Sequence, residues 1–142
     1  MLPLMGSTTD KQKDMALALI RVVIGVIFCV HGGQKIFVYG FAGVADAFGK
    51  MGIFMPGVMG PFIACLELAG GIALIVGLLA RLAAFGLACD MIGAIALVHM
   101  KNGFFNPMGF EFPMVLLVGC LAVAIGGGGV FSADGMMAAK RE

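Results

Sequence analysis

Ionisable side chains occur inside stretches of this sequence that are otherwise almost entirely apolar. Glu67 is the clearest case, because it lies near the middle of the apolar run 57–79. Arg21, Asp90 and His99 lie in other apolar runs. An ionised side chain in the hydrocarbon of a bilayer costs about 2.5–3.5 kcal/mol on insertion scales. Such residues are therefore expected either to hold helices together or to carry out proton chemistry.

The composition indicates that the solvent of this protein is lipid. Of the 142 residues, 61% are hydrophobic and only 12% are charged. Soluble domains average about 45–50% apolar and about 25% charged residues, and a soluble core of this size could not bury so much apolar surface. The net charge of +1 gives no reason to expect nucleic acid or an acidic ligand as a partner.

The apolar runs are long enough to cross a bilayer, which takes about 17–25 helical residues. The runs are 15–38, 57–79, 82–100 and 112–131. Because lipid offers no partners for backbone polar groups, each run is expected to be a helix. A tight link at Ala80-Arg81 makes the second and third runs an antiparallel hairpin. The sequence therefore predicts an all-α membrane protein, a four-helix transmembrane bundle forming a single domain over 1–142.

The loop after the first run predicts a short amphipathic helix. Its apolar residues recur at helical spacing: Phe41, Val44, Ala45, Phe48 and Met51. Asp46 and Lys50 lie away from this stripe. A helix with one apolar and one polar face is expected to lie in the membrane interface.

Lysine and arginine residues are distributed unequally between the two predicted sides of the membrane. The side of the termini carries Lys11, Lys13, Arg81, Lys140 and Arg141. The other side carries Lys35, Lys50 and Lys101. Positive charge accumulates in cytoplasmic segments. This bias favours a bacterial cytoplasmic membrane with both termini in the cytoplasm.

Small residues recur at every fourth position along the second run, at Cys65, Ala69, Ala73 and Gly77. Such ladders let membrane helices approach closely. The pattern therefore predicts a packing face.

The rise of a helix, about 1.5 Å per residue, divides the polar residues into two layers. Arg21 lies about 9 Å and Asp90 about 12 Å from the cytoplasmic ends of their runs, so these two are predicted to pair. The outer layer lies at about 20–25 Å and contains Glu67, His31 and His99, with Lys35 just beyond. Asp90 and His99 point to opposite faces of an ideal helix, so a kink is needed before both can face the bundle interior.

Each of these side chains has a structural and a chemical interpretation. Glu67 is either an acid that fixes helix register or a proton-transfer group beside histidine. His31 and His99 are either interfacial hydrogen-bonding groups or ligands. Arg21 and Lys35 are either a salt-bridge donor and a snorkelling side chain or part of a binding site. As a set they could hold the polar head of an amphipathic ligand such as a quinone. Their scatter over three runs does not predict a metal site.

The motifs, taken in order, resemble those of the DoxX family of small integral membrane proteins. They are Arg21, Gly25, 31–37 (HGGQKIF), 67–71 (ELAGG), 77–81 (GLLAR), His99, 101–105 (KNGFF), 110–112 (FEF), 126–129 (GGGG), Ser132 and Asp134. The glycine run replaces a Gly-Pro-Gly that is common in the family, and Asp90 stands where an apolar residue is expected. The resemblance implies a four-helix membrane protein. Some members are linked to quinone-dependent oxidation of sulfur compounds, some to quinone detoxification, and some to membrane oxidoreductase complexes with soluble redox partners.

The leading functional hypothesis is a quinone-binding subunit of a membrane oxidoreductase. In it Glu67 and His99 are the catalytic residues, and Glu67 moves a proton. Arg21, His31 and Lys35 bind and orient the cofactor. The pattern leaves open whether the chain is itself an enzyme.

Two other functions are compatible with the sequence. A non-catalytic assembly subunit of a larger membrane complex is the first, and a small-solute transporter is the second, although no internal repeat supports a transporter. The sequence shows no flavin, haem, metal or P-loop motif. Quinone is therefore the expected cofactor, and the electron carrier is either a bound quinone or a group that belongs to a partner. The expected partners are the bilayer, other membrane or soluble redox subunits or further copies of this chain, and no nucleic acid.

Overall fold

The computed structural model describes residues 6–141, and the described part of the chain is helical without strands. The helices are α1 (Asp10–Gly33), α2 (Gly40–Lys50), α3 (Pro56–Val76), α4 (Ala80–Ala94), α5 (Glu111–Gly126) and α6 (Ala133–Ala139). Wider π-type turns prolong α1 over Gln34–Tyr39 and α4 over Ile95–His99, and a 3-10 turn follows at Met100–Asn102. Thr9 caps α1 through a capping box with Gln12.

Three helical stretches are long and apolar enough to cross a membrane. They are Asp10–Lys50, Pro56–Val76 and Ala80–Asn102. The first stretch turns at Gly40, where a φ of 70° ends the straight part of the helix. α5 is apolar but has only 16 residues. The expected all-α membrane protein is thus confirmed, while a fourth membrane-spanning helix stays a prediction.

The main helices form a closed ring of contacts. α1 packs on α3, α3 on α4, α4 on α5, and α5 returns to α1, while α2 packs on α3. The side chains at the centre of the ring are apolar: Ile24, Phe28, Leu74, Leu87, Leu116, Cys120 and Val123. Many large apolar side chains instead face outward, as expected of a surface that contacts lipid.

The close contact between α1 and α3 depends on glycine. A Cβ atom at Gly71 would lie 2.6 Å from the backbone nitrogen of Cys29, and one at Gly32 would lie 2.8 Å from Cα of Leu68. The predicted packing ladder is therefore wrong in part, because Cys65 and Ala69 are exposed. The contact instead uses the neighbouring face of α3, where the small residues Ala64 and Gly71 are buried.

The turn between α3 and α4 lies earlier than the sequence predicted. It occupies residues 77–79 and not Ala80-Arg81, because Gly77 adopts a left-handed φ of 75° that ends α3. The first backbone N–H groups of α4 are capped by a distant carboxylate. Asp134 accepts hydrogen bonds from the backbone nitrogens of Leu79 and Ala80, each at 2.9 Å. The C-terminal segment thus closes this end of the bundle.

Candidate functional site

A partly buried cation and two carboxyl groups meet at the middle of the bundle. Nζ of Lys35 donates to Oε2 of Glu67 at 2.5 Å, and the Glu67 side chain is only 5% exposed. Asp90 lies close enough to interact electrostatically with both. Its buried Oδ2 has no hydrogen-bond partner among the described residues. We call these three residues the carboxyl cluster; its second acid has a polar atom free to receive a ligand or a proton.

The lengths of the helices explain why Asp90 lies beside Glu67. Counted from the α3–α4 turn, Glu67 lies nine residues before Val76 and Asp90 lies ten residues after Ala80. The two antiparallel helices therefore place both acids at nearly equal depth. The sequence-based estimate put Asp90 in a different layer because it misplaced the ends of both helices.

The π turn at the end of α4 lets Asp90 and His99 share one cavity. Nine residues of ideal α-helix separate their directions by about 180°. A π turn accommodates an extra residue and so reduces this separation by about 100°. The structure has such a turn at Ile95–His99, and both side chains line the same cavity. The π turn thus replaces the kink that the sequence required.

An apolar cavity of about 480 Å³ lies between α2, α3 and α4. We call it the apolar cavity; among its lining residues are Phe48, Met51, Phe62, Leu66, Cys89 and Leu97, with the carboxyl cluster and His99 as its polar part. Phe62 and Leu97 are 56% and 59% exposed, so the cavity opens at the lateral surface of the helices. It can therefore receive a molecule from the lipid phase.

A second cavity, of about 280 Å³, lies inside the helix ring, at the end away from the termini. We call it the polar cavity; its lining includes Phe28, His31, Asn106, Phe112 and Leu116. It shares residues with the apolar cavity: Lys35, Glu67, Met91, Ala94 and His99. The ion pair therefore belongs to the wall between the two cavities.

The two histidines differ in their surroundings. His99 lines both cavities, and its Nδ1 lies 3.0 Å from the backbone oxygen of Met108, which leaves Nε2 available to a ligand. His31 is exposed and lines only the polar cavity, where its ring centroid lies 6.3 Å from that of Phe112. The structure thus brings Glu67, Lys35 and His99 together, with His31 at the mouth of the adjoining cavity.

Arg21 lies outside this group. Its guanidinium donates to the backbone oxygens of Leu74, Ile75 and Phe131. The predicted Arg21–Asp90 pair is therefore wrong. Arg21 instead satisfies carbonyls in the last turn of α3 that have no partner within the helix. The Arg21 side chain is buried because it reaches these carbonyls inside the bundle.

Asp90 is a residue of this site that sequence reasoning missed, because it was predicted to pair with Arg21. Its position in an apolar run marked it as unusual, but its partner depended on the true ends of α3 and α4. Asn106 is another, because it lies in a loop whose fold over the polar cavity has no sequence signal. Among residues 6–141 no group of three or more His, Cys, Asp or Glu side chains could hold a metal ion, and Cys29, Cys65, Cys89 and Cys120 are free thiols.

Known proteins resemble this chain over most of its length. The sequence model of the DoxX family matches residues 16–100. "Putative oxidoreductase CatD" of Bacillus subtilis is 35% identical over 75% of this chain and 77% of its own length. "Inner membrane protein YqjF" of Escherichia coli is 30% identical over 92% of this chain and 98% of its own length. No solved structure matches the chain. The resemblance of the sequence motifs is thus confirmed, and the chain belongs to the DoxX family.

Proposed function

We propose that this protein is a subunit of a quinone-linked oxidoreductase in the bacterial inner membrane and that it binds the quinone in the apolar cavity. The observation that carries the proposal is the carboxyl cluster in the wall of a cavity that is otherwise apolar and opens toward lipid. A quinone has matching parts, since its carbonyl oxygens are polar while its ring and tail are apolar.

The size and lining of the apolar cavity support a ligand of this kind. Cavities that bind small molecules measure about 300–1,000 Å³ and are mostly apolar with a few polar groups that fix orientation. The apolar cavity has about 480 Å³. Its aromatic and aliphatic lining, including Phe48, Phe62 and Leu66, would contact the ring and the start of the tail. Lateral opening lets a long tail stay in the bilayer.

The cluster supplies the groups that quinone chemistry needs. The Lys35 ammonium can donate a hydrogen bond to a quinone carbonyl oxygen. In the neutral His99 ring Nδ1–H donates to the backbone oxygen of Met108, so Nε2 can accept the hydroxyl proton of a quinol. Reduction to the quinol adds two electrons and two protons, and in this scheme Glu67 and Asp90 supply the protons or accept them in the reverse direction. In this proposal a partner redox subunit supplies the electrons for reduction and receives them in the reverse direction. Arg21, at the opposite end of the bundle, is assigned a structural role in this scheme.

The same proposal includes four membrane-spanning helices within a single domain, with α5 as the fourth. Its 16 residues would cover about 24 Å, so the preceding aromatic residues of the loop would lie at the interface. Both termini are placed in the cytoplasm by the lysine and arginine bias, and α2 at the opposite interface. The names of two relatives, "Putative oxidoreductase CatD" and "Inner membrane protein YqjF", support the function and the location.

The test compares substitutions at two glycines, of which only one lines the apolar cavity. A Cβ atom at Gly93 or at Gly57 would meet nothing within 4 Å, but only Gly93 lines the apolar cavity. Gly93→Phe should therefore fill the cavity, whereas Gly57→Phe should leave it empty. The ligand is a fully substituted benzoquinone with a short alkyl tail, which has no ring position open to thiol addition.

Binding is measured by the protection of native thiols from a lipid-soluble maleimide. Cys89 and Cys65 are both exposed, but only Cys89 lines the apolar cavity. The quinone should slow labelling of Cys89 at least tenfold in the wild type and in Gly57→Phe, but not in Gly93→Phe, while labelling of Cys65 stays unchanged. Equal labelling of Cys89 with and without the quinone in the wild type would refute the proposal.

A further inference from the structure

The polar cavity and the apolar cavity meet at the carboxyl cluster, but only the polar cavity leads to a membrane surface through polar residues. Lys35, Glu67 and His99 line both cavities. Beyond them the polar cavity is lined by His31, which is exposed, and by Asn106, which lies in the exposed loop. A series of polar groups thus extends from the cluster to the end of the bundle where residues 100–111 lie.

The polar cavity is suited to hold water. Its volume of about 280 Å³ leaves room for several molecules, each of which needs about 30 Å³ in the liquid. Water enters a buried cavity when two to four polar partners are available. His31, Asn106 and the ion pair offer such partners in the lining of the cavity.

Toward the termini, the described part of the chain places buried apolar side chains next to the cluster. The fully buried side chains between the cluster and that end include Phe28, Leu74, Leu87 and Val123. The buried polar side chains in this half include Arg21, whose guanidinium is held by the carbonyls of α3 and of Phe131, and Ser132, whose hydroxyl donates to the backbone oxygen of Gly129. An apolar layer of this kind excludes water and so blocks proton transfer.

We propose that the polar cavity is a water-filled proton path that connects the carboxyl cluster with the membrane surface at residues 100–111, the side opposite to the termini. Protons that the cluster binds or releases therefore exchange with that side alone. This inference goes beyond the proposed function, because it concerns the route of the proton and holds whether or not the ligand is a quinone.

The groups that face the cluster come from each of the surrounding helices. α1 and its extension contribute His31 and Lys35, α3 contributes Glu67, α4 contributes Cys89, Asp90 and His99, and α5 contributes Cys120, while α2 contributes only apolar side chains. The ion pair lies at the point where both cavities meet. Movement of the Lys35 ammonium would open or close contact between the two carboxyl groups and the water of the polar cavity.

The test follows protonation of the cluster in the full chain without any ligand. The protein is inserted into liposomes, and the carboxyl infrared bands of Glu67 and Asp90 are assigned with Glu67→Gln and Asp90→Asn. The external pH is then stepped and the bands are recorded over time. The fraction of molecules with residues 100–111 outside is counted on Lys101→Cys with a membrane-impermeant thiol reagent.

We expect a fast change of the carboxyl bands whose amplitude equals the fraction of molecules with residues 100–111 outside. A plug is then attached to Asn106→Cys, which lies at the polar cavity, with Lys101→Cys as the matched control in the same exposed loop. The plug at position 106 should slow the change at least tenfold, and the plug at position 101 should not.

Several outcomes would overturn the proton path. One is a fast change of the carboxyl bands whose amplitude equals the fraction of molecules with their termini outside, or one that includes all molecules. Another is that the bands do not change between pH 4 and 10. A third is that the plug at position 106 does not slow the change. Because no quinone is present, these results are independent of the proposed ligand. Loss of quinone binding alone would leave the path intact.

Discussion

Nζ of Lys35 and Oε2 of Glu67 lie 2.5 Å apart, although 32 residues separate them in the sequence. The contact joins the π-type extension of α1 to the middle of α3. Glu67 is almost completely buried, whereas the Lys35 side chain is 23% exposed. The two partners therefore differ in how readily each could reach a polar environment if the other were removed.

The loss of either partner should reveal this difference. Lys35→Met leaves a buried carboxylate without its cation, and removal of one member of a buried pair destabilises by about 3–5 kcal/mol. Glu67→Gln should destabilise by only about 1–2 kcal/mol, because the long Lys35 side chain can extend to the surface. Unfolding in mixed detergent micelles measures both. The double variant Lys35→Met/Glu67→Gln should be more stable than Lys35→Met; an equal or lower stability would contradict the interpretation of a paired charge.

Arg21 should affect stability without affecting the ligand. Its guanidinium donates to three backbone oxygens, and hydrogen bonds of a charged donor contribute about 1.5–3 kcal/mol each, although not additively. Arg21→Met should therefore lower the free energy of unfolding by at least about 3 kcal/mol. Arg21→Lys keeps the charge but offers fewer directed donors, so it should lie between Arg21→Met and the wild type.

The quinone protection of Cys89 separates this role of Arg21 from ligand binding. Folded Arg21→Lys protein should show the same protection as the wild type, because Arg21 lines neither cavity. A tenfold weaker affinity in a variant of normal stability would place Arg21 in the binding site after all.

Asp134 should stabilise the protein by capping α4, a helix to which it does not belong. It accepts hydrogen bonds from Leu79 and Ala80 at the start of α4, where a carboxylate also interacts favourably with the helix dipole. Asp134→Ala should cost about 1–2 kcal/mol in thermal unfolding of the purified protein. Asp10→Ala is the control, since Asp10 pairs with Lys13 while its side chain is 95% exposed, and such pairs contribute about 0–1 kcal/mol. Equal effects of the two changes would argue against the cap.

The sequence predicted which ionisable residues lie together better than it predicted their depth and direction. Apolar runs and their length indicated helices because lipid permits almost nothing else, and buried charges such as Glu67 stand out in that background. Lys35 and His99 were assigned to the same region as Glu67, and the structure brings these three together.

The partner of Asp90 could not be predicted because it depends on small differences in helix length. Gly77 ends α3 three residues before the predicted boundary, which changes the depth of Glu67 by about 4.5 Å. The π turn at Ile95–His99 likewise rotates His99 relative to Asp90, and nothing in an apolar run indicates where such a turn occurs. The role of Arg21 depends on a C-terminal segment far away in sequence.

Neighbouring glycines on α1 allow a sharp test of the close helix contact. A Cβ atom at Gly32 would lie 3.0 Å from the backbone oxygen of Ala64 and still closer to Leu68, whereas the nearest atom to one at Gly33 is a Phe37 ring carbon at 3.9 Å. Gly32→Ala must therefore push α1 away from α3, since backbone atoms cannot move aside as a side chain can. We expect a loss of about 1–3 kcal/mol, as for other overpacked sites.

Substitution of the neighbouring Gly33 should stabilise the protein, whereas substitution of Gly32 destabilises it. Gly33→Ala has space for its methyl group and removes backbone freedom from the unfolded chain, so it should stabilise the protein by about 0.4–1 kcal/mol. Because α1 also carries Lys35, separation of α1 from α3 in Gly32→Ala should weaken the Lys35–Glu67 pair. In Gly32→Ala the further effect of Lys35→Met should then be smaller than in the wild type. Additive effects would show that the helix contact and the ion pair are independent.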